Sequence, residues 1–142
     1  MMPPFEKTEC SCSTCVACCR RQPGPLAPGD FERIQGFLGA SPEQMKKLFW
    51  RSPGALVQQA GRQFRIGTIT PKRSAGKCVF LENDRCTIHA VKPVGCAYYD
   101  THMGGAEAQR RSQWFVRAQQ DPEYQKLRDS LPVATSYNPG KY

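Results

Sequence analysis

Five of the eight cysteines fall within ten residues, in Cys10-Ser-Cys12-Ser-Thr-Cys15-Val-Ala-Cys18-Cys19, a C-x-C-x2-C-x2-C-C run. The other three, Cys78, Cys86 and Cys96, come much later, with no cysteine in the interval. Thiolate is a soft ligand that selects zinc, copper(I) or iron–sulfur clusters. C-x2-C steps hold two sulfurs at a reach suited to one tetrahedral centre. A chain that gathers thiols in this way is expected to fill them. The fold is therefore expected to be organised around a cysteine-ligated metal or iron–sulfur centre.

Composition supports that reading. A chain of 142 residues is most simply one domain with a modest core. Only 39% of it is hydrophobic, and it carries twelve prolines and twelve glycines. These proportions predict a loop-rich fold whose core takes help from metal or disulfides. The start, Met-Met-Pro-Pro-Phe-Glu-Lys, shows no apolar signal-peptide region, and no stretch is apolar for the ~18–20 residues of a membrane span. A cytoplasmic location is expected, where thiols stay reduced and clustered cysteines favour metal over disulfides. The formal net charge of +8 counts cysteines as neutral. Thiolates around two divalent ions would bring it to about +4, because ligands must be deprotonated to bind. The charge therefore gives little support for a nucleic-acid partner.

Along the chain, short helices and a hairpin are expected: an α+β fold, small and loop-rich. A first helix is expected with Pro28 in its initial turn, Asp30 complementing its dipole and Phe31, Ile34, Phe37 and Leu38 on its apolar face, ended by Gly39. A second begins at Ser41, with Gln44 completing a capping box and Met45, Leu48 and Phe49 inward, and stops at Ser52-Pro53-Gly54. Residues 55–63 give no clear pattern, and 64–69 read as a strand ended by Pro71. Cys78-Val-Phe-Leu81 and Cys86-Thr-Ile88 flank a hairpin turn. A two-residue turn at Asn83-Asp84 would pair Leu81 with Cys86 and send Cys78 and Cys86 to opposite faces; a three-residue loop would let both share one. Pro93 and Gly95 predict a turn that presents Cys96. Residues 106–119 fit a helix with Trp114, Phe115 and Ala118 inward and Arg110, Arg111 and Arg117 outward. Asp121 caps a last helix with Tyr124, Leu127 and Leu131 inward. The whole is expected to be a single domain, 1–142, with a cysteine-cluster core over 10–100 and a helical extension over 101–142.

The thiols match no common template outright. Cys12, Cys15 and Cys18 reproduce the first three spacings of a bacterial ferredoxin run, but its fourth cysteine is absent and Cys19 follows at once. A second zinc knuckle is also missing, since seven residues separate Cys78 from Cys86. Adjacent side chains such as Cys18 and Cys19 diverge, so a single centre rarely takes both. The supply suits one centre or two. Cys10 is the first candidate for a spare thiol, and His89 and His102 are candidate nitrogen ligands.

Three segments together carry a resemblance. They are Cys12-x2-Cys15-x2-Cys18-Cys19, Leu26-Ala-Pro28-Gly-Asp30-Phe-Glu-Arg-Ile34 with Leu38-Gly-Ala-Ser41-Pro-Glu43, and Gly76-Lys-Cys78 through Arg85-Cys86-Thr-Ile88-His89 to Lys92-Pro93-x2-Cys96. In this order they resemble the YkgJ-type cysteine-cluster family, known by its CxxCxxCC motif and described as chelating zinc or iron. The match covers roughly residues 10–100. His89 stands where tyrosine is common in the family and Lys92 where arginine is common. The resemblance implies that Cys12, Cys15, Cys18, Cys19, Cys78, Cys86 and Cys96 are the metal ligands, and it does not extend that role to Cys10. A related motif in flagellin lysine methylases implies that such a domain can serve methyl transfer to protein lysine.

The expected function is chelation of zinc or iron, with an iron–sulfur cluster among the forms the metal could take, in a structural, metal-handling or electron-transfer role. The alternative is an iron–sulfur-dependent enzyme acting on a protein or peptide partner. It lacks a glycine-rich nucleotide loop, a GxSxG elbow, an HExxH pair and the radical-type CxxxCxxC spacing. A zinc-stabilised nucleic-acid binder ranks third, since Arg110-Arg111 beside Trp114 are accounted for by the outer face of an amphipathic helix.

Overall fold

A long antiparallel hairpin forms the centre of the chain, with short helices before and after it. The computed structural model describes residues 3–7 and 24–134, apart from 60, 75, 84 and 99–102, and the backbone alone at 53–59 and 64. The helices are α1 (Asp30–Leu38), α2 (Pro42–Leu48), α3 (Val94–Ala97), α4 (Gly105–Ala118) and α5 (Pro122–Ser130), with a 3-10 turn at His89–Val91. The strands are β1 (Phe49–Gln59), β2 (Arg62–Pro71) and four two-residue pieces: β3 (Arg73–Ser74), β4 (Lys77–Cys78), β5 (Leu81–Glu82) and β6 (Arg85–Cys86). They pair as β1–β2, β3–β4 and β5–β6, all antiparallel. The fold is α+β and loop-rich, as expected. None of its described helices is long and apolar enough to cross a membrane.

The caps follow the sequence. Gly39 closes α1 in the left-handed region at φ 62°, a conformation that glycine adopts without a Cβ penalty. Ser41 and Gln44 exchange hydrogen bonds of 3.1 and 2.8 Å in a complete capping box. Asp121 accepts from the Tyr124 amide at 2.9 Å and caps α5. Tyr124 and Leu131 are buried, and Leu127 packs beside them.

Three expectations need correction. First, α2 ends at Leu48 rather than running on to Ser52, and Phe49 starts β1. Phe49 is fully buried either way, because a residue at the junction satisfies both a helical and a strand pattern. Pro53 and Gly54 do not stop a helix; they fall in a bulge, where the register shifts between Ser52 and Ala55 and the single Gly67 lies opposite. Second, Phe37 and Leu38 do not face the core with Phe31 and Ile34; they are 52% and 37% exposed. Third, Arg111 turns inward. It donates to the carbonyls of Glu6 (2.9 Å) and Tyr98 (2.8 Å) and pairs with Glu107.

Two apolar clusters result. The larger joins Leu26, Ile34, Met45, Phe49, Ile69 and Phe80 with neighbouring side chains, and Cys78 and Cys86 pack against it. The smaller joins Ala27, Val94, Ala97, Tyr98 and Phe115, and Phe5 and Trp114 pack against it. The last helix is tied to both halves of the chain. The Tyr124 hydroxyl donates to the Leu26 carbonyl at 2.7 Å and accepts from the Ile69 amide at 3.0 Å. Burial pushes this phenol well above its ordinary pKa, so it stays a neutral donor.

Candidate metal centre

Cys78 ends β4, opposite Arg73, and Cys86 ends β6, opposite Leu81. The Leu81–Cys86 pairing is the two-residue-turn register, and Asn83 adopts φ +49° in that turn. The predicted consequence for the thiols does not follow. Alternation would put Cys78 and Cys86 on opposite faces only along a continuous strand, and the chain turns at Val79 and Phe80 between β4 and β5. Both cysteines instead lie half-buried against the same apolar cluster. Burial pushes the Cys86 thiol up, against the pull of the Ile88 backbone and of Lys92. Metal coordination reverses such a shift by taking the sulfur as thiolate.

Cys96 sits in α3, where the expected turn has tightened into one helical turn. Asp30 holds this element in place. Its carboxyl is buried, and Oδ2 accepts at 2.9 Å from the Val94 amide and at 2.9 Å from that of Ala27. Oδ1 pairs with Arg33 at 2.9 Å, and Arg33 also donates to the carbonyls of Val91 and Lys92. Burial raises the carboxyl's pKa, while the two amides and Arg33 draw it down. Asp30 is thus a clamp between α1 and the approach to Cys96, a role beyond the expected dipole partner.

The segment that leads out of the amino-terminal cysteines meets Cys96 directly. The Gly24 amide donates to Cys96 Sγ at 3.2 Å, and the Gly95 amide donates to the Pro25 carbonyl at 2.9 Å. A Cβ on Gly24 would collide with the Gly95–Cys96 backbone and with Sγ. One on Gly95 would collide with Pro25. The next residues are pinned as well: the Leu26 amide donates to the Ile69 carbonyl at 2.8 Å, and the Leu26 carbonyl accepts from Tyr124 and Gln119. The sequence marks Gly95 only as a turn residue. A close approach between positions 24 and 95 leaves no local signature.

Among the described residues, no three His, Cys, Asp or Glu side chains gather closely enough to hold a metal ion. Cys78, Cys86 and Cys96 therefore do not close a site by themselves. His89, at the start of the 3-10 turn, is exposed. Cys10, Cys12, Cys15, Cys18, Cys19 and His102 lie outside the described residues. The described sulfurs suit a soft metal in chemistry and burial, as part of a larger donor set.

The family described as "CxxCxxCC: Putative zinc- or iron-chelating domain" matches residues 11–127. The chain belongs to this family. The matched region contains all seven of the expected ligands and reaches past residue 100 through α4 into α5. Zinc or iron is accordingly the chemistry that the family description assigns. No curated protein and no solved structure matches the chain.

Proposed function

We propose that this protein chelates zinc or iron through Cys12, Cys15, Cys18, Cys19, Cys78, Cys86 and Cys96, as a single domain in which the metal centre and the fold stabilise one another. The observation that carries the reading is the family match across both cysteine groups. The backbone contact between Gly24 and Cys96, which ties the exit of the first group to a member of the second, supports it. A cytoplasmic setting, where thiols stay reduced, suits this ligand set. The role is to hold metal, as a structural or metal-handling centre, or to pass electrons where the bound form is an iron–sulfur cluster.

The ligand assignment is tested cysteine by cysteine. Cys18→Ala and Cys86→Ala are expected to lower metal per chain and thermal stability together, because metal binding and folding share one free energy. Cys10→Ala is expected to keep the metal. Elemental analysis and melting curves on the three variants check this. Full metal occupancy in Cys18→Ala or Cys86→Ala would remove that residue from the site.

A further inference from the structure

One side chain of α4 holds both the amino-terminal arm and the end of α3. Phe5 packs against the cluster that contains Val94 and Ala97 of α3 and Phe115 of α4, and Pro3 is buried. The guanidinium carbons of Arg110 and Arg111 stand 4.8 and 5.2 Å from the Phe5 ring centroid. Glu107, one turn earlier on α4, steadies both arginines: its Oε1 accepts from Arg111 Nε at 2.7 Å and from Arg110 Nη2 at 2.8 Å. Arg111 is the more enclosed, its side chain 11% exposed against 62% for Arg110. Its Nη1 donates to the Glu6 carbonyl at 2.9 Å and to the Tyr98 carbonyl at 2.8 Å. Tyr98 is the residue on which α3 ends. One nitrogen thus gives its two protons to two distant segments of the chain.

We infer that residues 3–7 form a strap, latched over the end of α3 by Arg111 and Phe5, and that strap and helix end loosen together. The inference stands apart from the chelation reading, because it concerns the backbone of α3 and needs no metal. A helix of four residues does not hold itself, and its last carbonyls need donors from outside. Asp30 secures the first turn through the Val94 amide. Arg111 secures the other end through Tyr98. An enclosed guanidinium that loses an acceptor is costly, so the position of the arm and that of the helix end are coupled through Arg111. The arm itself is held by the Phe5 ring, its two cation contacts and the Glu6 carbonyl. That is modest against the entropy of ordering the segment, so the strap releases before the core opens.

The test is amide hydrogen exchange, followed by NMR, on the full chain and on Phe5→Ala, Arg111→Gln and the double variant. The Ala97 and Tyr98 amides donate to the Pro93 and Val94 carbonyls. Their exchange is expected to quicken about tenfold or more in either single variant, the scale of one lost hydrogen bond to a charged group. The Ile69 amide, held by Tyr124 in the larger cluster, should keep the parent rate. The double variant should match the faster single one, because both changes open one latch. Phe5→Tyr keeps the ring face and should keep the parent rates, whereas Phe5→Leu keeps apolar bulk alone and should not. Parent rates at Ala97 and Tyr98 in both single variants would overturn the inference. Acceleration in Arg111→Gln alone would overturn the coupling and leave Arg111 a cap on α3. Acceleration that reaches Ile69 equally, or additive effects in the double variant, would also overturn it.

Discussion

Asp30→Ala is expected to destabilise the protein by about 3–5 kcal/mol, the order for removing a buried carboxylate that satisfies two amides and pairs with a partly exposed arginine. The loss has three parts. The Ala27 and Val94 amides, both on buried residues, lose their acceptor, and each orphaned group costs about 1–3 kcal/mol. Arg33 loses its carboxylate while still reaching for the Val91 and Lys92 carbonyls. The consequence extends past stability, because Val94 opens the helix that carries Cys96. Metal affinity should fall in the same variant. Asp30→Asn keeps one oxygen to accept from the amides and should lose less. Denaturant unfolding of both variants, with metal held at a fixed excess, measures the difference. An Asp30→Ala protein within about 1 kcal/mol of the parent would mean that the clamp is dispensable, since that is the scale of an ordinary surface change.

Stripping the metal should be a perturbation of comparable size. A ligand that binds only the folded state stabilises it by about 4 kcal/mol at a thousandfold excess over Kd. For a chain of this size that corresponds to a fall of roughly 10–20 °C in melting temperature on removal. The apolar clusters around Ile69 and Phe115 would remain, so a weakened fold is expected rather than complete unfolding. The effect should be greatest near the metal. Hydrogen exchange is expected to speed up first at Gly24, Gly95 and Cys96, whose amides lie on or beside the docked segment. Exchange at Ile69, whose amide is held by Tyr124 in the larger cluster, should change least. A chelator that leaves both the melting curve and these rates unaltered would show that the centre does not support the fold.

The sequence was most legible where signals are local. Ser41 with Gln44, Gly39 and Asp121 each act within a few residues, and each performs its expected part. Failures came where a decision is made by distant packing. Leu48-Phe49-Trp50 continues a helical stripe and also begins an alternating strand, and only the partner strand Arg62–Pro71 decides between them. Phe37 and Leu38 fit the apolar stripe of α1, yet the core ends at Ile34 on that side. Arg111 reads as an outer charge in sequence, but the Tyr98 and Glu6 carbonyls supply acceptors that draw it inward.

The candidate site divides in the same way. The cysteines, their spacing and the family were visible in the chain itself, because ligand chemistry is written in residue type. What the Cys96 helix packs against was not, because that depends on backbone contacts between positions 64 and 72 residues apart. Gly24 against Cys96 and Asp30 against Val94 are both of this kind. Alternation left the relative faces of Cys78 and Cys86 to the turn length, and the turn at Val79 and Phe80 breaks the strand on which that alternation would run.

The central claim is that the clustered cysteines hold metal, and its most direct test is elemental. Untagged protein purified without oxygen would be analysed for zinc, iron, copper and acid-labile sulfide per chain, together with the number of thiols that react before and after denaturation. The account predicts stoichiometric zinc or iron, with most thiols protected until the metal is released; sulfide matching the iron would identify a cluster. A folded protein with no bound metal, whose eight cysteines all react freely or are paired in disulfides, would contradict it.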